Sequence, residues 1–166
     1  MMPAPRRRAG LPPVEIQVKS ALWSAQPRAE DTARAAVHAA ADMLSTSPGE
    51  VSIVLTDDSD MRELNRTWRG IDKPTNVLSF PAPKGNAGIM LGDIVVAYET
   101  TARECKDEER IFLHHLAHLT VHGFLHLVGY DHQSDAEAEA METLESKIMA
   151  RMNLPDPYLA RDPDHA

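Results

Sequence analysis

The sequence predicts one α/β domain, of the α+β kind: a mixed sheet of about four strands packed with about five helices. Three observations carry this expectation. Four short apolar runs rich in β-branched residues are interleaved along the chain with stretches of helical composition. No linker or internal repeat divides the 166 residues, which is the size of one ordinary domain with a core of its own. Hydrophobic residues make up 43% and charged residues 25%, the balance of a soluble globular protein.

The elements follow in chain order. Residues 1–13, rich in Pro, Arg and Ala, read as a disordered segment. VEIQV (14–18) alternates Val14, Ile16 and Val18 with polar residues, as a half-buried strand does. The Ala-rich run 29–44 has helical spacing, and SPGE (47–50) stops it. VSIVLT (51–56) is a buried strand. DDSDMRELNRTW (57–68) is a short helix with Asp57, Asp58 or Ser59 as its cap, and RGIDKPT (69–75) a loop. NVLSF (76–80) and DIVVAY (93–98) supply two more strands. An apolar helix covers roughly 107–128 and ends at Gly129. Ser134 and Glu137 have capping-box spacing for a last helix over 134–152. The folded domain thus spans 14–153, and 154–166 forms a tail that frays.

The formal charge of -8 argues against a protein that coats nucleic acid through a basic surface, though not against a local basic groove. A single cysteine, Cys105, makes an intramolecular disulfide impossible and reads as a buried thiol. The N-terminal basic cluster has no apolar run after it, and no stretch approaches a membrane span. A cytoplasmic protein with no membrane partner is the simplest expectation.

The chemistry gathers in HGFLHLVGYDH (122–132). The helix leading into it is apolar nearly all round, so it is buried, and a buried histidine needs partners for its ring nitrogens. His122 and His126 are four residues apart and share a face. The turn Gly129-Tyr130-Asp131 can swing His132 back toward them. Three imidazoles with an open fourth position suit a catalytic zinc ion, whereas a closed structural site would call for a fourth ligand. His118 is near enough to support the pair or line a pocket. His114 lies about 120° round the helix from His126, and His115 is off the ladder, so both read as surface or core contacts. Zinc peptidases of the H-E-x-x-H type place a glutamate after the first histidine. Here that position is Gly123, which either opens room near the metal or lets the helix pack closely. Asp131 could orient an imidazole or act on a water, or serve only the turn.

HGFLHLVGYDH resembles the H-G-x-L-H-L-x-G-Y-D-H signature of the YbeY family of bacterial ribosomal-RNA maturation factors. LNRTWRGIDKPTNVLSFP (64–81) resembles that family's second signature, LGDIVVA (91–97) its G-D-[IL] strand, and EAEAMETLESKIM (137–149) its closing helix. The resemblance implies one zinc ion per chain on His122, His126 and His132. It implies a single-strand-specific endoribonuclease acting in maturation of the 3′ end of 16S rRNA and in ribosome quality control. Its partners would be single-stranded RNA, the small ribosomal subunit and assembly proteins. It also places the family's important arginine at Arg69. Arg69 and His122 are then the candidate catalytic residues, and Arg69 and Lys73 the candidate substrate contacts; by spacing alone a loop arginine is a solvated charge. Asn76 and Ser79 could shape the cleft. Two other readings stand beside this one: an assembly factor with a structural zinc and no catalysis, and, with less support, a metalloprotease or other zinc hydrolase.

Overall fold

The computed structural model describes residues 11–45, 49–83 and 89–159. Four strands, β1 (Val14–Val18), β2 (Glu50–Thr56), β3 (Val77–Pro81) and β4 (Met90–Ala97), form one sheet in the order β1-β2-β4-β3. β1, β2 and β4 run parallel, and β3 lies antiparallel to β4 at the sheet's edge. Five helices pack on it: α1 (Ala29–Leu44), α2 (Asp58–Arg69), α3 (Tyr98–Asp107), α4 (Phe112–Leu127) and α5 (Asp135–Arg151).

Alternation along the strands divides the buried side chains between two cores. Val51, Ile53, Leu55, Ile94 and Val96 join the main core with α1, α4 and α5. Leu78, Val95 and Ala97 face the other way, onto Met61 of α2. Each of these large aliphatic side chains contributes roughly 1.5–3 kcal/mol by leaving water. α4 is buried on most of its circumference, from Leu116 and Leu119 to Phe124 and Leu125, as its apolar sequence predicts.

The sequence predicts no element over 99–106, but α3 fills that stretch and takes in Tyr98 and Asp107, so the strand expected to reach 98 ends at Ala97 and the helix expected from about 107 starts at Phe112. No side chain of its own caps that helix. Instead Asp58 Oδ1, at the start of α2, accepts bonds from Thr100 N–H at 3.1 Å and Thr100 Oγ1 at 2.8 Å, while Glu99 Oε1 accepts from Asp58 N–H at 2.8 Å. The two helix starts satisfy each other's orphan amides. A short 3-10 helix, Ala21–Ala25, also went unread; it buries Trp23, whose indole N–H donates to the Thr56 carbonyl at 2.8 Å.

Of the segment 1–13 expected to be disordered, residues 1–10 lie outside the described residues, while Pro13 C=O accepts from Val51 N–H at 2.9 Å and Pro12 C=O stands 3.0 Å from His38 Nε2. Of the expected tail, residues 160–166 lie outside the described residues, while Leu154 packs on the core and Pro157 is buried.

Candidate metal centre and cleft

α4 delivers His122 and His126 one turn apart on its C-terminal face. Gly129, at φ 103°, adopts a backbone that favours glycine, and its N–H reaches back to the His126 carbonyl at 3.2 Å. The chain turns there, and His132 comes round to the pair. Asp131 serves this turn: its Oδ1 accepts from the His132 backbone N–H at 2.8 Å. One nitrogen from each of the three rings lies within 4.8 Å of the others, and the Nε2 atoms of His122 and His126 stand 3.1 Å apart. Burial, and next the two neighbouring imidazoles, hold His126 below the ordinary histidine range, so its ring offers a lone pair at neutral pH. The three histidines could hold a metal ion.

A residue that sequence reasoning missed completes the centre. Glu145 on α5 is fully buried, and its Oε2 lies 2.9 Å from His122 Nδ1. The carboxylate accepts Nδ1–H and leaves the Nε2 lone pair toward the cleft. Its Oε1 lies 3.2 Å from His118 Nε2 and accepts from the Tyr158 hydroxyl. Burial alone would raise the Glu145 carboxyl, but the hydrogen bonds from His118, His122 and Tyr158 outweigh it and hold the group down at about 2. His118 thus supports the pair through Glu145. His115 is buried and bonded to Glu104 Oε1 at 2.8 Å, away from the three-ring cluster. Only a glutamate on another helix, 23 positions along, marks this arrangement in the sequence, and no local spacing flags it.

The cluster opens into a cleft of about 540 Å³, walled by Arg69 and β3 on one side and by His122, His126 and the 129–132 turn on the other. Arg69 is the last residue of α2 rather than a loop residue, and Gly70, at φ 71°, ends the helix behind it. Arg62 is paired with Asp72 and Arg66 with Glu63, whereas Arg69 meets no carboxylate among the described residues. Ser79 lines the cleft and donates to the Gly123 carbonyl at 3.0 Å. Asn76 does not line it and instead donates to Glu104 Oε1 at 3.0 Å. Lys73 is exposed on the following loop and does not line the cleft either.

Gly123 faces the sheet. A Cβ there would stand 2.9 Å from Ile94 Cγ2 and 3.0 Å from Ser79 Oγ, so the glycine serves close packing, not room for substrate. Cys105 is buried on α3 and is no part of the three-histidine cluster. Among the described residues no helix is long and apolar enough to cross a membrane.

The family model described as Endoribonuclease YbeY matches residues 15–153. The Endoribonuclease YbeY of Bradyrhizobium sp. strain BTAi1 is 53% identical over 161 residues, covering 92% of this chain and 95% of that one. The Endoribonuclease YbeY of Rhodopseudomonas palustris strain BisB18 is 54% identical over 159 residues, covering 91% and 95%. The solution structure of a Thermotoga maritima protein aligns with a TM-score of 0.55 over 84% of this chain and 91% of that one. At 23% identity that last likeness is one of fold.

Proposed function

This chain belongs to the YbeY endoribonuclease family, and on that premise we propose that it is a zinc-dependent, single-strand-specific endoribonuclease. Its substrate is ribosomal RNA, at the 3′ end of 16S rRNA and in ribosome quality control, in contact with the small subunit and assembly proteins in the cytoplasm. One observation carries the reading: Arg69, which meets no carboxylate among the described residues, and the three-histidine cluster line one cleft.

The donor set fits zinc. Three imidazoles converge, and Glu145 fixes the tautomer of one of them. Held by His122, His126 and His132, the ion would supply Lewis-acid charge beside a phosphodiester. The chain's own residues do the rest. Arg69 offers a planar fork to two non-bridging phosphate oxygens and steadies the charge that develops on them. The end of a helix holds that cation near the carbonyls of its last turn, which favours it. Glu145, on His122 Nδ1, keeps that ring turned with its Nε2 toward the ion. Lys73, outside the cleft, adds long-range attraction for the strand and no direct contact at the phosphate.

Three ligands facing an open cleft support catalysis over a purely structural zinc, since Cys105 lies elsewhere and closes no fourth position. A peptidase would need a carboxylate where Gly123 packs on the sheet.

The test is cleavage of a labelled single-stranded RNA by wild type and Arg69→Ala, with zinc content and folding measured on the same samples. The variant is expected to keep its zinc and fold and to lose about a hundredfold or more in rate. Equal cleavage by both proteins would sink the assignment and leave the non-catalytic assembly factor as the better reading.

A further inference from the structure

The chain has two tryptophans, in opposite surroundings. Trp23 is 3% exposed, and Trp68 is 67% exposed. A lone exposed apolar residue is ordinary on a protein surface, so the position of Trp68 is what matters. It immediately precedes Arg69 in the last turn of α2. Its ring meets Phe80 of β3 edge-on, with centroids 6.1 Å apart and planes at 65°. Its sequence neighbour Arg69, and Phe80's neighbours Ser79 and Pro81, all line the cleft. The indole adjoins the cleft-lining Arg69 on the α2 side of the edge strand, braced on Phe80, which packs with Leu78 and Met61, and most of its surface is open.

Charge chooses this rim over the opposite one. α5 starts just beyond His132, and its first turns expose Asp135, Glu137, Glu139 and Glu142. A polyanion is repelled there. On the α2–β3 side the exposed acids Asp72 and Glu63 are each paired with an arginine, while Arg69, which meets no carboxylate among the described residues, and Lys73 stand exposed. A strand that held one phosphate at Arg69 and continued on this side would pass beside Trp68.

We propose that Trp68 is a stacking platform for the nucleobase next to the phosphate held at Arg69. The proposal rests on the endoribonuclease reading and adds to it a base-binding subsite outside the metal centre. Every base has a π face, so the platform is tolerant of sequence. A base inside a duplex has both faces covered by its neighbours and cannot reach the indole, so the platform discriminates for unpaired RNA.

The probe is a short single-stranded 2′-O-methyl RNA, together with copies in which one nucleotide at a time lacks its base. Zinc-loaded wild type, Trp68→Phe and Trp68→Leu are titrated. Trp23, buried and hydrogen-bonded, reports folding in every variant. RNA is expected to shield the Trp68 fluorescence of wild type from acrylamide. Trp68→Leu should bind about tenfold more weakly, and Trp68→Phe close to wild type. Removing one particular base should weaken wild type by the same factor and Trp68→Leu hardly at all. If wild type binds the RNA while Trp68 stays open to acrylamide, or Trp68→Leu binds equally well, the platform is wrong and the RNA reading survives; the indole is then free for a protein partner. If wild type binds no single-stranded RNA, both fall together.

Discussion

Ser79 Oγ donates to the Gly123 carbonyl at 3.0 Å, and the same oxygen stands 3.0 Å from where a Cβ on residue 123 would lie. Helix and edge strand are thus in contact directly beside His122. The packing that brings the histidine helix onto β3 also brings it opposite Arg69.

Gly123→Ala should therefore destabilise the protein, by roughly 1–3 kcal/mol, because Ile94 and Ser79 must both give way. Urea midpoints with an unchanged slope would measure it. Gly123→Glu, which writes the H-E-x-x-H pattern into the chain, should give a poorly folded protein without peptidase activity. A well-folded Gly123→Ala of full stability would refute the packing argument.

Glu145→Gln preserves shape and removes the charge that His118, His122 and Tyr158 converge on. Zinc affinity, measured by competition with a chromogenic chelator, should fall by about 10–100-fold. Far-UV circular dichroism of the metal-free protein should change little. Undiminished affinity would mean that the carboxylate does not position His122.

Glu104 accepts bonds from His115 and Asn76. Burial pushes its carboxyl up, but those bonds outweigh it, so the group lies below its ordinary value of 4.5. A carboxyl depressed in the folded state adds stability above the unfolded pKa, and that stability is lost as pH falls through the folded pKa. Metal-free Glu104→Gln should be less stable than wild type at pH 7, and the gap should close in acid. A gap that stays constant down to pH 3 would contradict this.

Burial, then Glu104 and Glu108, push the Cys105 thiol from 9.0 up to about 11. Only the thiolate is alkylated. At pH 8 iodoacetamide should label the native protein about a hundredfold more slowly than the urea-unfolded chain. Fast labelling of native protein would show that α3 opens readily.

The strands and most helices were legible because alternation and helical spacing are local signals. α1 and β1 match the expected spans residue for residue. α3 was hidden because what starts it, Asp58, belongs to another helix 42 positions from Thr100. The three histidines were legible because they lie within one helix end and its turn. Glu145 was not, because a carboxylate becomes a ring partner only once two helices have packed. The sequence predicts a loop at Arg69, but the helix runs through it and ends at Gly70, whose left-handed backbone sets the boundary. Gly123 had two open explanations, and only the sheet beneath it could choose between them.

The cleft joins walls from distant parts of the chain: Arg69 with β3 on one side, residues 122–132 on the other. A ribosome makes them in that order. A growing chain therefore carries the Arg69 wall well before it has any of the three clustered imidazoles, and never the reverse. Glu145 and Tyr158, which tie down His118 and His122, come later still. The three-histidine cluster with its carboxylate partner is thus complete only once α5 has been made.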